Sequence, residues 1–475
     1  MKKYRAFFII TLVFLYTKFP EISAQPVSQT EAKALATAQL VKTGAENPAI
    51  VTCQSFPGED GNPLFYYITF FPKGFAVIPT DKGLPPVIAC GKESSTEHQD
   101  EWIRFVTADL NARSLCKKNI PPEILSRRAL QRERLLRGEL RDPLFQQWPE
   151  PGTTTTEGWL ETNWTQDQPY NSLCPLDPVD GGRSIAGCPS VAMAMIVNFH
   201  LSTNGVCFTD ADDYHHQYAG RNYWIDDDYQ LLDFPSFPAL NEHLDSLQSH
   251  YKNGLPLTKT DKGALVFACG VAARQVYTSS GSGTFGVDQA FDAYQKFNFT
   301  QAQLMTDNDP ELYTHIAENI KDTLPVHLAV VDPGWTMGHN VVIDGYNTDD
   351  YFHLNFGWGG GYNGWYLLPD EIPYGLTVIE GVITDIIPGF PTGIPQKILN
   401  ADNLYPNPAR DIVYFSKPPE PGSVVMISDI SGKTIHKEQW TGHHAGIDIS
   451  KLPQGIYLIT LISKQQQQKT KLVKL

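Results

Sequence analysis

Two residue types carry the chemistry this chain could perform, a cysteine at the mouth of an apolar helix and a histidine at the start of an apolar strand. Cys188 follows Gly187 and precedes Pro189, and residues 191–199 are apolar or small at every position but Asn198. Such a run predicts a helix buried on most sides, with Cys188 at the N-cap and Pro189 pre-set for the first turn. There the sulfur faces unpaired backbone N–H groups and the positive end of the helix dipole, and both favour thiolate over thiol. The competing reading is an inert core cysteine, the usual condition of a buried one. A thiolate that attacks a carbonyl needs an imidazole to hold the ion pair and then protonate the leaving amine. His339 is the best placed of the thirteen histidines. Gly338 before it lets the backbone approach a substrate, and the apolar run 341–345 after it fixes the ring. A lone histidine ahead of a strand is also a common structural residue.

The order and separation of the pair are close to the roughly 130–150 residues between cysteine and histidine in papain-like enzymes, although the local C-G-[SA]-C-[WY] signature is replaced by A-G-C-P. An oxyanion intermediate requires donors, typically a backbone N–H and a side-chain amide. The Cys188 N–H supplies the first. Gln166, in W-T-Q-D-Q-P-Y-N, supplies the second in the arrangement of papain; Gln168 competes for that place, and both glutamines also fit an ordinary loop. Asn355, at the end of a short strand, is positioned to orient the imidazole, and Trp358 to cover the pair and exclude water. The glycines around them equally describe a turn with a packed tryptophan.

The elements that must position these residues follow from periodicity. Residues 158 to about 390 begin with helical patterns at 187–200, 239–252, 264–276, 287–297 and 310–322. Strands follow at 326–331, 341–345, 351–355, 364–368 and 378–387. Helices first and antiparallel strands afterwards predict two segregated lobes with a cleft between them. Residues 25–142 read as a separate α+β module, with helices at 30–41, 102–115 and 121–141 and strands at 66–71, 74–79 and 87–89; the Arg- and Glu-rich third helix reads as a solvated face. Residues 143–157 have the composition of an exposed linker that a protease could cut. From about 398 to 475, short alternating strands with turns every 8–12 residues predict a small β-sandwich.

Composition narrows the function. The chain has 475 residues, 41% of them hydrophobic and 11% aromatic, a globular rather than disordered make-up. A net charge of −15, with no basic block able to track a phosphate backbone, argues against nucleic acid as a partner. Residues 1–24 read as an export signal: Lys2, Lys3 and Arg5, an apolar run at 7–16, then Ser23-Ala24. The alternative is a short N-terminal anchor, and no other stretch has the length of a transmembrane helix. Seven cysteines are an odd count without a C-x-x-C, which flags Cys188 as a free reactive thiol. Asp210, Asp212, Asp213, His215 and His216 lack helical ligand spacing and read as a solvated acidic loop, so neither metal nor cofactor is expected.

Three stretches together resemble the streptopain family of papain-fold cysteine endopeptidases. They are Gly187-Cys188, the run G-H-N-V-V-I-D-G at 338–345, and Y-F-H-L-N-F-G-W-G-G at 351–360. Residues 166–171 are similar to the family's Q-x-x-P-Y-N, which implies Gln166 as the oxyanion glutamine. Residues 279–283 are similar to its serine-glycine loop, which implies that Ser282 and Gly338 contact the substrate backbone. G-F-A-V-I-P-T-D-K at 74–82 resembles the family's inhibitory prodomain. One departure stands out: the family's N-W-G-W-G-G reads here with Phe356 in place of the first tryptophan, so an indole donor is missing and orientation of the histidine falls to Asn355 or Trp358. The tail carries Y-P-N-P-A at 405–409, D-I-S-G-K at 429–433, G-I-Y-L at 455–458 and K-L-V-K at 471–474. It resembles the C-terminal sorting domain of the type IX secretion system and implies export through the periplasm and outer membrane of a bacterium.

The expectation is therefore an α+β chain: a papain-like two-lobe catalytic domain (158–390) preceded by an α+β prodomain (25–142) and followed by a β-sandwich (398–475). Its function would be that of a secreted zymogen whose partners are protein or peptide substrates, its own propeptide and the secretion machinery. Two other readings compete with it. One is a cell-wall peptide amidase with the same dyad, and the other a surface-binding homologue with impaired catalysis.

Overall fold

A computed structural model describes residues 26–116, 120–139, 144–306, 308–332, 334, 338–368, 379–388, 404–415, 419, 423–428, 434–440, 446–462 and 467–475. The predicted export signal and the D-I-S-G-K segment lie outside these residues.

The chain opens with α1 (Gln29–Lys42), whose N-cap Ser28 accepts the Glu31 N–H at 3.1 Å. Four antiparallel strands follow, β1 (Ala49–Pro57), β2 (Pro63–Phe71), β3 (Phe75–Pro79) and β4 (Ala89–Gly91). Helices α2 (Gln99–Cys116) and α3 (Pro122–Leu136) come next. The third helix presents the solvated charged face its composition suggested, with Glu123, Arg127, Glu133 and Arg134 exposed, but two of its arginines turn inward. Arg128 and Arg132 are buried, and their guanidinium groups donate to the carbonyls of Gly83, Lys82 and Leu84. The turn between β3 and β4 leaves backbone acceptors that only long cationic donors reach.

The strip expected to be an open linker contributes β5 (Gln147–Trp148). The helical half then holds α4 (Cys188–Phe199), a hairpin of β6 (His215–Tyr218) and β7 (Arg221–Trp224), and helices α5 (Tyr229–Leu232), α6 (Phe237–Asn253), α7 (Lys259–Ala272) and α8 (Val287–Lys296). The β6–β7 hairpin corrects part of the expected acidic loop: His216 is buried, and its Nε2 accepts the Tyr277 N–H at 2.7 Å. Helix α7 starts at Lys259, ahead of the expected 264, because Thr258 and Asp261 form a reciprocal capping box. These helices share one core around α4, whose residues 189–197 are all buried.

The strand-rich half comprises β8 (Gln303–Met305), α9 (Leu312–Lys321), β9 (Val326–Val331), β10 (Gly338–Asn347), β11 (Phe352–Asn355), β12 (Gly364–Tyr366) and β13 (Ile379–Thr384). Among the described residues these strands and β1–β5 form a single 11-stranded sheet in the order β1-β2-β3-β4-β12-β11-β10-β9-β13-β8, with β5 paired to β10. The N-terminal strands thus do not close on themselves. At the seam β12 meets β4, with Trp365 opposite Cys90 and Tyr366 opposite Ala89. A Cβ on Gly364 would lie 2.4 Å from the Cys90 carbonyl oxygen, so the approach requires glycine.

The last block is two sheets on a shared core. Strands β14 (Leu404–Tyr405), β15 (Ile412–Phe415) and β18 (Ile447–Asp448) make one; β16 (Val424–Ser428), β17 (Thr434–Gln439), β19 (Gly455–Ile462) and β20 (Gln467–Lys474) make the other. Val413, Val425, Ile427, Ile459 and Leu472 fill the space between them, as the sandwich pattern predicts. Asn407, within Y-P-N-P-A, accepts the Val473 N–H at 2.9 Å and so fastens the final strand.

Candidate active site

The turn into α4 places Cys188 one position away from the expected one. The N-cap is Gly187, at φ +87°, and Cys188 is the first residue of the helix. The glycine is required twice over: its backbone is left-handed, and a Cβ would sit 2.9 Å from the Gln275 side-chain oxygen and 3.0 Å from the Ser282 carbonyl. The preceding turn is tied on both sides. The Ala186 N–H donates to the Gln166 carbonyl at 2.9 Å, and the Ala186 carbonyl accepts from the Gln275 amide and the Ser190 hydroxyl, both at 2.6 Å. Gln166 therefore runs beside the nucleophile's turn and is half-buried, whereas Gln168 is exposed. Ser282 reaches the same turn through its backbone. Its hydroxyl is bonded within its own loop, accepting the Thr278 N–H at 3.1 Å and donating to the Thr278 carbonyl at 3.2 Å.

The thiol is not activated in this state. Burial pushes Cys188 up to about 12; Asn340 hydrogen bonding pulls it down and the Glu101 carboxylate pushes it further up. The helix-terminus effect read from the sequence is real in sign, but desolvation of the charged form outweighs it. The sulfur's hydrogen-bond partner is Asn340, whose Nδ2 donates at 3.9 Å, and no hydrogen bond joins it to His339.

His339 sits near the start of β10, one residue after the exposed Gly338, opposite Val330 of β9. Its Nε2 lies 2.9 Å from the Phe356 carbonyl oxygen. A carbonyl only accepts, so Nε2 carries the proton. The imidazole stacks on Trp358, with ring centres 4.4 Å apart, and on Phe356 at 5.9 Å. From the N-terminal segment, Phe105 of α2 approaches at 6.1 Å, and His98 stacks on Trp358 at 4.6 Å. Burial lowers the His339 pKa despite the neighbouring Glu101 carboxylate, so the ring is held neutral. Glu101 is raised by burial, but its hydrogen bond to His98 and the surrounding positive charge win and leave it below its ordinary value.

Asn355 does not orient the imidazole here. Its Nδ2 donates to the Thr162 carbonyl at 2.9 Å, and its Oδ1 accepts the Gly357 N–H at 3.1 Å. It shapes the glycine loop that carries Trp358. In that loop Gly357, Gly359 and Gly360 all have positive φ, and Gly357 packs against Val191 of α4. The loop is thereby pinned on the nucleophile's helix, and orientation of the ring rests with the Phe356 carbonyl and the Trp358 face. Phe356, the departure from the family pattern, keeps an aromatic wall and contributes its backbone oxygen. The sequence reading assigned no role to Asn340, Glu101, Phe105 or His98, and the last three reach the site from outside the motifs. Asn340 alone had a signal, its place directly after His339.

Residues 164–366 match the model of the Peptidase C10 family, and residues 403–475 match that of the secretion system C-terminal sorting domain. The chain is 25% identical over 215 residues to the thiol protease/hemagglutinin PrtT of Porphyromonas gingivalis, a stretch covering 42% of this chain and 22% of that protein. It is 24% identical over 234 residues to streptopain of Streptococcus pyogenes, covering 43% of this chain and 53% of streptopain. It thus spans only about half, or less, of the length of these curated relatives. Among solved structures it is similar to a prointerpain A fragment of Prevotella intermedia, at 19% identity and a TM-score of 0.47, over 72% of this chain and 98% of that one.

Proposed function

We propose that this chain, whose residues 164–366 belong to the Peptidase C10 family, is a secreted or cell-surface cysteine endopeptidase made as a zymogen. The observation that carries the reading is the arrangement around Cys188 and His339: a cysteine on the first turn of a buried helix, and an imidazole with its Nε2 proton already committed to a carbonyl and its face against an indole. That commitment leaves Nδ1 with a free lone pair, the atom a thiol proton needs.

In the active form the Cys188 sulfur attacks the scissile carbonyl carbon and its proton passes to His339. The imidazolium then protonates the leaving amine, and water hydrolyses the acyl-enzyme to return the thiol. The Cys188 N–H and the Gln166 side-chain amide bind the oxyanion, Trp358 excludes water, Asn355 holds the loop that presents it, and Ser282 and Gly338 contact the substrate backbone. Residues 25–142 act as the intramolecular inhibitor. Phe105, His98 and Glu101 of that segment hold the imidazole and leave the thiol protonated, and cutting within 143–157 releases them. The sorting domain at 403–475 and the predicted signal at 1–24 fit export through the periplasm and outer membrane of a bacterium. Proteins or peptides are the substrates.

The test uses processed protein, a thiol-directed epoxide, casein and peptidoglycan. We expect the epoxide to label Cys188 and to stop casein hydrolysis, and Cys188→Ala to lose that hydrolysis by at least about 10⁴-fold. Casein cleavage that survives Cys188→Ala sinks the reading. Turnover of peptidoglycan alone points to an amidase, and turnover of neither to a binding protein.

A further inference from the structure

A polar chain that the dyad does not use leads to the Cys188 sulfur. Tyr294 of α8 and His327 of β9 are buried, and Asn340 of β10 is nearly so. The Tyr294 hydroxyl lies 3.1 Å from His327 Nδ1, His327 Nε2 lies 2.7 Å from Asn340 Oδ1, and Asn340 Nδ2 lies 3.9 Å from the Cys188 sulfur. Among the described residues each of these side chains is hydrogen-bonded to the next, and the row ends on the reacting atom.

The direction of every bond is determined. Asn340 Oδ1 can only accept, so His327 Nε2 must carry a proton. Burial lowers the His327 pKa to about 4, so at neutral pH the ring holds one proton and Nδ1 is bare. The tyrosine hydroxyl, held protonated by burial, therefore donates to Nδ1. With its oxygen engaged by His327, the Asn340 side chain has its NH₂ turned to the sulfur. The four groups form a one-way series of donors, and such series polarise one another and strengthen the last bond.

We propose that Asn340 is a further residue at the reacting atom, a donor to the Cys188 thiolate, and that His327 and Tyr294 are positioning residues that lock its amide in the donating orientation. The proposal rests on Cys188 being the nucleophile. In the zymogen the donor opposes the burial and the Glu101 carboxylate on α2, which both disfavour the thiolate. Without Tyr294, His327 can move its proton to Nδ1 and then accept from the asparagine, which turns the carbonyl oxygen of Asn340 to the sulfur. A remote hydroxyl would in that way decide which end of an amide the nucleophile meets.

The test measures how fast iodoacetamide alkylates Cys188 in the full, unprocessed chain between pH 6 and 9, followed by mass spectrometry of the Cys188 peptide. Cys207, exposed in the same chain, serves as the internal standard. Asn340→Leu keeps side-chain volume and the Asn340 backbone N–H but removes the side-chain donor, and Tyr294→Phe removes one oxygen far from the sulfur and cannot alter access to it. We expect Asn340→Leu to slow Cys188 about tenfold at each pH, the worth of one hydrogen bond to a charged group, and Tyr294→Phe to slow it about threefold, with Cys207 unchanged. A parental rate in Asn340→Leu overturns the proposal. A slow Asn340→Leu beside a parental Tyr294→Phe overturns the relay. Alkylation needs no turnover, so a protein that hydrolyses nothing yet shows both slowed rates loses the protease reading and keeps the relay.

Discussion

The first and last blocks of the chain are both rich in short antiparallel strands, yet they relate to the site in opposite ways. Strands β1–β4 run into the same sheet as β9–β13 through the β4–β12 seam, and α2 with the His98 that precedes it reaches His339 and Trp358. Among the described residues, strands β14–β20 pair with one another and enclose their own core. The difference shows what each block can do. A segment that shares a sheet and a side-chain cluster with the site can hold the site's chemistry in check, whereas one that is closed on itself can be carried, recognised and removed without touching it.

The largest effect should come from the seam. Gly364→Val drives a side chain into the Cys90 carbonyl and the Gly91 Cα. It should cost about 3 kcal/mol in chemical denaturation, and free the N-terminal block so that the unprocessed chain begins to hydrolyse casein. A variant as stable and as silent as the parent would show that the seam does not join the blocks. Phe105→Ala acts at the contact itself. Losing a buried ring there should cost about 2 kcal/mol and quicken activation, read as a shorter lag before casein cleavage.

Acid should act more gently on the same side of the comparison. Burial lowers His200, His216 and His327 to about 4 from 6.5, and lowers His339 as well. Between those values the unfolded chain binds more protons than the folded one, so stability is intact above about pH 6.5 and is lost as pH falls towards 4. Asp213, raised to about 6 by burial, works in the opposite sense, as do Asp109 and Glu380, but Asp177, Asp212, Asp261 and Glu101 are held low and add to the histidines. A melting temperature that drops by several degrees from pH 7.5 to pH 5 is the expected result. The smallest effect belongs to the last block: deleting 404–475 should change the stability and casein activity of the remainder by less than about 0.5 kcal/mol.

What the sequence disclosed, and what it withheld, divides along the same line. The nucleophile's helix, the strand at 326–331 and the glycine loop were legible because each advertises itself locally, through apolar periodicity or through glycines that turns require. The thiol's charge state was not. The dipole that favours the thiolate can be read from Gly-Cys-Pro, but the burial that overrules it belongs to the tertiary packing, and the Glu101 carboxylate that adds to it comes from α2, far away in sequence. Two buried arginines of the otherwise solvated α3 escaped for a related reason, since a guanidinium that ends on a backbone carbonyl looks in sequence like one that ends in water. The β6–β7 hairpin escaped because its strands are only four residues each and mostly polar. His327 and Tyr294 carried no signal at all, being ordinary residues of a strand and a helix until the fold lines them up behind Asn340.

If the N-terminal block silences the Cys188 thiol, as proposed, its removal must free that thiol to react. The direct measurement is the rate at which iodoacetamide alkylates Cys188 at pH 6, before and after the chain is cut within 143–157 and the released segment is removed. If the imidazole then pairs with the sulfur, the rate should rise by at least about a hundredfold, because the thiolate population grows by far more than its lower basicity takes away. A Cys188 that reacts no faster once the segment is gone would contradict the claim.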